Sequence, residues 1–163
     1  MEGFVRAFST QQGDILQISF SEETNLLSKE AISHIGDIKL MGIELLRGKG
    51  TNTIGANVLH YIEESVSEVF SLCNNVMIVY YCDFISPIPK TNKNAMPPQE
   101  YRSRLFENMF RRYIKQKRIR DIRLSVITVS GIDETYYFHL IYRDTHAMQA
   151  SIIGSDIKDG YSK

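Results

Sequence analysis

The spacing of apolar residues along the chain switches between two and about 3.6, and each switch marks an element. Residues 3–8 (GFVRAF) and 15–20 (ILQISF) read as two short strands, with STQQGD as the turn and Gly13 free to take a positive φ. Residues 21–36 (SEETNLLSKEAISHIG) are ambiguous and can hold a short helix that ends at Gly36. Residues 38–46 (IKLMGIELL) read as a third strand, in which Gly42 suits a bulge. The polar stretch RGKGTNTIGAN follows, and its Asn52 or Thr53 is placed to cap the next helix. That helix covers 54–73. On a helical wheel Val58, Leu59, Ile62, Val66, Val69, Phe70 and Cys73 fall within an arc of about 120°, and Glu63, Glu64 and Glu68 lie off it.

Residues 76–82 (VMIVYYC) form a strand with apolar side chains on both faces, so both faces are expected to be covered. The loop 84–98 contains all four prolines, and Pro97 and Pro98 suit the start of a second helix at 99–118. IRLSVITVS (122–130) and TYYFHLIYR (135–143) flank GIDE, which is a hairpin signal. The tail 147–163 is weakly patterned. Its QASIIGS fits a strand or a short helix, and its last residues are expected to fray. The order β-β-β-α-β-α-β-β predicts an α+β fold: a largely antiparallel sheet of five to six strands with two helices packed on one face. The 163 residues suit one domain, with a flexible loop at 84–98 and a weakly ordered C-terminal tail.

Composition adds limits. Apolar content of 43% with 23% charge is ordinary for a globular domain, and no apolar run is long enough to span a membrane. The start, MEGFVRAFSTQQGD, has no secretory pattern, so the chain is expected in the cytoplasm. There Cys73 and Cys82 are expected as thiols, Cys73 as a small buried hydrophobe in the stripe of the first long helix. No CxxC or HxxxH pairing supports a zinc site, and no cofactor is expected. The net charge of zero hides a polarised chain. Residues 102–123 hold nine basic and two acidic side chains, a local excess of +7, which leaves −7 on the rest.

The second helix carries the candidate chemistry. Leu105, Phe106, Met109, Phe110 and Tyr113 share one wide face, and Arg102 projects into its middle, in the first turn, where the helix dipole disfavours a cation. A buried guanidinium needs an acceptor. Asp83, at the end of the preceding strand, is the candidate partner for a structural ion pair; the alternative is that Arg102 snorkels to water. The opposite face carries Arg104, Arg111, Lys115 and Arg118 nearly in line, and Arg112, Lys117, Arg120 and Arg123 thicken the patch. Such a face is either a solvated surface or a site for an anion, an acidic protein or nucleic acid. Nucleic acid is the weaker expectation, because Tyr113 is the single aromatic among the clustered cations from Arg111 to Arg123 and belongs to the apolar face.

Catalytic signatures are sparse. There is no GxSxG elbow, Walker loop or dinucleotide fingerprint. GKGTNTIG (48–55) is glycine-rich before a helix but lacks the Gly-Lys-Ser/Thr end of a P-loop. His139 alternates with Tyr136, Phe138, Leu140 and Tyr142, which are expected to face the core, so His139 is expected to face outward. A Cys82–His139 dyad would require the thiol and imidazole to come within about 3 Å.

NNVMIVYYCDF, a variable loop and then EYRSRLFENMFRRY resemble the core motif of a small Bacteroidetes family, a domain of unknown function. Its pattern is an Ile/Val-Tyr-x-Cys-Asp strand followed by an Arg-x-Arg-Leu-Phe-x-x-Trp-Phe helix. Cys82, Asp83, Arg102, Arg104, Leu105, Phe106 and Phe110 fit; Met109 stands where the pattern has Trp, and the loop 84–98 is longer. The resemblance implies a single small α+β domain from a Gram-negative anaerobe, with no established activity. The first expectation for function is a non-enzymatic protein-binding module, immunity-like or antitoxin-like, for an acidic partner. The alternatives are a nucleic-acid-associated protein using 102–123 and an enzyme centred on Cys82 and Asp83. A homodimer is open, through an edge strand or through the outward face of the 122–143 hairpin, where Tyr137 and Ile141 would otherwise be wet.

Overall fold

In the computed structural model, which describes residues 4–9, 13–49, 56–82, 97–132 and 134–161, six strands form one sheet. They are β1 (Phe4–Ser9), β2 (Ile15–Glu22), β3 (Lys39–Lys49), β4 (Val76–Cys82), β5 (Ile122–Ser130) and β6 (Thr135–Arg143), in the order β1-β2-β3-β4-β6-β5 across the sheet. β3 and β4 run parallel, and the other neighbouring pairs are antiparallel. A parallel pair needs a long crossover, and α2 (Ala56–Leu72) lies in the connection from β3 to β4. The β1–β2 turn uses Gly13 at φ 85. The predicted α+β class and the order β-β-β-α-β-α-β-β are present.

Among the described residues four α-helices accompany the sheet. α1 (Lys29–Ile35) begins at Ser28, whose Oγ accepts from the Ala31 amide, and ends at Gly36 with φ 67. α2 and α3 (Pro98–Gln116) cover one face. There Ile62, Val66 and Val69 of α2 and Phe106 and Phe110 of α3 enclose Leu16, Ile18, Phe20 and Ile78. α1 and α4 (Ala147–Tyr161) cover the other face over β3 to β6, where Ile35, Ala150, Ile153 and Ile157 meet Leu40, Met77, Val79 and Leu140. Each fully buried Leu, Ile or Phe contributes roughly 1.5–3 kcal/mol. The two-sided burial of β4 therefore follows from its continuous apolar run.

Several expectations change here. The tail, read as a strand or short helix with a weak pattern, forms the 15-residue α4 over 147–161. Its seam of Ala150, Ile153 and Ile157 is narrow, and Gly154 beside it faces Ile127, whose Cδ1 would make only an ordinary 3.5 Å contact with an added Cβ. Asp156 ties this helix to α1, accepting from the Ser28 amide (2.9 Å) and the Ser28 hydroxyl (2.5 Å). Gly42 makes no bulge; the register shift lies between Ile15 and Leu16. Gly42 instead gives room to Glu23, whose Cγ would lie 2.6 Å from a Cβ there. His139 and Ile141 do not face water, for both are fully buried. They do lie opposite Phe138 and Leu140, but α3 covers that face.

Candidate functional site

α3 positions the cations. Pro98 stands in its first turn and Phe106, Phe110 and Tyr113 are buried, so Arg104, Arg111, Arg112 and Lys115 on the other side of the helix turn outward. The helix stops at a paired turn: the Arg118 amide donates to the Lys115 carbonyl (3.3 Å) and the Ile119 amide to the Ile114 carbonyl (3.0 Å). Arg118 holds φ 55, a left-handed value that favours glycine. This turn redirects the chain into β5 and gathers the cations before and after it.

The result is an open groove of about 590 Å³. Arg111, Lys115, Arg118, Arg120 and Arg123 line it, with no Asp or Glu among its lining residues. Ile114, Ile119, Ile122 and Leu124 supply the apolar surface, and Tyr142 comes from β6. Two of the cations are held in place. Arg111 Nε pairs with Glu107 (3.0 Å) while its Nη2 donates to the Leu124 carbonyl (3.3 Å). Arg123 Nη1 donates to the Arg120 carbonyl (2.7 Å). The side chains of Lys115, Arg118 and Arg120 make no hydrogen bond or ion pair with the described residues. Nearby Asp121 is engaged by Arg143 (3.3 Å). The negative end of α3 offsets part of the mutual repulsion of these cations, and an anion in the groove would offset more.

The predicted site residues separate into groups. Arg111, Lys115 and Arg118 come together in the groove, as do Arg120 and Arg123. Arg104 pairs with Glu100 one turn earlier on the helix (2.9 Å), and Arg112 is exposed; neither lines the groove. Arg102 is buried, 5% exposed, on the core side of α3. Its proposed partner Asp83 lies outside the described residues, as do the loop 84–96, Asn52 and Thr53, and most of the GKGTNTIG stretch. Tyr142 is the groove residue that sequence reasoning missed as part of a site. It lies 19 residues beyond Arg123, and only the β5–β6 pairing brings it near.

Other clusters offer less chemistry. His139 Nε2 donates to the Ser103 carbonyl (3.2 Å) and lies 3.1 Å from the Ser103 hydroxyl. Burial lowers its pKa to about 4, against smaller opposing effects of hydrogen bonding to Ser103 and of Glu107. Ser103 is itself buried and Phe106 packs on the imidazole, so this Ser–His contact is closed to a substrate. The β4–β6 register sets Tyr80 opposite His139 and Cys82 opposite Tyr137. Cys73 is partly buried just past the end of α2 and packs on the core.

A second cavity, of about 190 Å³, lies between α2 and α3 and holds Glu63 and Arg143. Burial raises the Glu63 pKa, and His60 partly opposes that shift. Arg143 is committed to the end of α2: it donates to the carbonyls of Phe70, Cys73 (3.0 Å) and Asn74 (3.3 Å). Among the described residues no group of three His, Cys, Asp or Glu side chains is placed to hold a metal ion, and no helix is long and apolar enough to cross a membrane.

Comparison with models of known protein families and with curated proteins finds no match to this chain.

Proposed function

We propose that the chain is a non-enzymatic binding module whose groove at the α3–β5 junction takes an acidic segment of a partner protein. The observation that carries this reading is the lining itself: five cations, no carboxylate and an apolar floor. Carboxylates satisfy the cations, and apolar side chains between them occupy the isoleucine surface. Three of the cations have no described internal partner and can turn to a ligand without breaking a contact.

A nucleic acid would use the same charges. It also gains from a row of aromatic platforms for its bases. The groove offers Tyr142, whose hydroxyl is within hydrogen-bonding distance of Ser125 (3.2 Å), and an aliphatic floor that phosphates do not fill. The acidic peptide is the better fit.

Fluorescence anisotropy with a labelled peptide of alternating glutamate and valine, beside a labelled single-stranded oligonucleotide, tests the reading. The expected result is peptide binding that weakens with added salt and is lost in the combined variant Lys115→Gln, Arg118→Gln, Arg120→Gln. Tighter binding of the oligonucleotide, or peptide binding that the triple variant leaves intact, would overturn it.

A further inference from the structure

The groove does not stop at the helix end; it opens onto a sheet edge that no other described strand pairs. β5 is the last strand in the sheet order. Its outward-facing backbone groups can be assigned. The Asp144 amide bonds to the Asp121 carbonyl and the Gly131 amide to the Glu134 carbonyl, at the two ends of the β5–β6 ladder. Bonded and non-bonded residues alternate along an antiparallel strand. The odd-numbered residues of β5 therefore bond to β6, and Leu124, Val126, Thr128 and Ser130 point their amides and carbonyls away from the sheet. The Arg111 guanidinium agrees, since it reaches the Leu124 carbonyl from outside the sheet.

We infer that β5 accepts the acidic segment as an added, extended strand. The inference rests on the groove reading above and specifies how the segment lies. The ladder would form on Val126, Thr128 and Ser130, with Arg111 closing it at Leu124. Side chains of an added strand alternate between faces, and each face has a place for them. On the α3 side is the cationic groove. On the α4 side a second open groove of about 360 Å³ runs between Thr128, Ala150, Gly154 and Lys158, again with no carboxylate in its lining. Tyr142 borders both grooves. Main-chain bonds supply affinity in this mode, and the flanking side-chain sites supply selection. The charge of both grooves picks an acidic strand over a neutral one.

The Glu/Val peptide and two backbone-methylated forms test this. One form carries N-methyl groups on the amides of every second residue; the other carries them on the intervening amides. Strand addition uses one set of amides and leaves the other in water. One form should lose about tenfold or more in affinity, and the other should bind nearly as the parent does. Equal binding of all three peptides would overturn strand addition while leaving the groove reading intact. Failure of the parent peptide to bind would overturn both. Sedimentation of the chain alone is the second check: a monomer is expected, and a dimer broken by Val126→Pro would assign the edge to a second copy of this chain instead.

Discussion

His139 should make the fold sensitive to acid well above the range where exposed carboxylates titrate. The imidazole is fully buried, Tyr80 and Phe106 flank it, and Glu107 and Arg111 of α3 act on it with opposite signs. Its pKa falls from 6.5 to about 4 on folding, with burial as the main cause. Between those values the unfolded chain binds a proton that the folded chain does not, so stability falls as pH drops from 6.5 towards 4. At about 1.4 kcal/mol per pKa unit the full loss is about 3 kcal/mol, and roughly 2 kcal/mol is gone by about pH 5. Urea unfolding from about pH 7.5 to 4.5, on the chain and on His139→Gln, measures it. The glutamine keeps a donor for the Ser103 carbonyl but does not titrate, and Glu63 titrates in both proteins. The wild-type curve should fall more steeply by about 2 kcal/mol; parallel curves would refute the argument that the imidazole is held neutral by burial.

Three further outcomes follow from the same contacts. Arg118→Gly should stabilise the fold by about 0.5–1 kcal/mol, by relieving the left-handed backbone at φ 55, while weakening the acidic peptide; thermal melts and anisotropy read the two effects separately. Asp156→Ala removes both hydrogen bonds to Ser28 and should cost about 1–2 kcal/mol in urea unfolding, with Asp156→Asn costing less. Arg143→Ala leaves the last carbonyls of α2 without their donor and removes a cation over the Phe70 ring at 5.3 Å. It should cost about 2 kcal/mol or more, and hydrogen exchange should speed up in the last turn of α2 first.

Much of the scaffold was legible because its signals are local. β4, β5 and β6 fall at 76–82, 122–130 and 135–143 as read, since each is an apolar or alternating run between turn residues. α1 was recognisable from its stop at Gly36. What escaped depends on the third dimension. Alternation told which residues of β6 share a face with His139, but not that α3 would cover that face. α4 shows three buried residues on an otherwise mixed surface, and its strongest anchor, Asp156, bonds to Ser28 more than a hundred residues away. The basic run was visible as charge. Its division into a groove (Arg111, Lys115, Arg118, Arg120, Arg123) and bystanders (Arg104, Arg112) needed the turn at Arg118 and the start of β5. Tyr142 carried no signal at all until the hairpin register placed it beside them.

The central claim is that an acidic segment sits at the junction of α3 and β5. The most direct measurement is an NMR titration of the isotope-labelled chain with the Glu/Val peptide. Amide shifts concentrated at 111–128 and in Tyr142, with Glu63 and Phe70 unmoved, are the predicted result. Shifts centred on the cleft between α2 and α3, or spread over the surface without a focus, would contradict it.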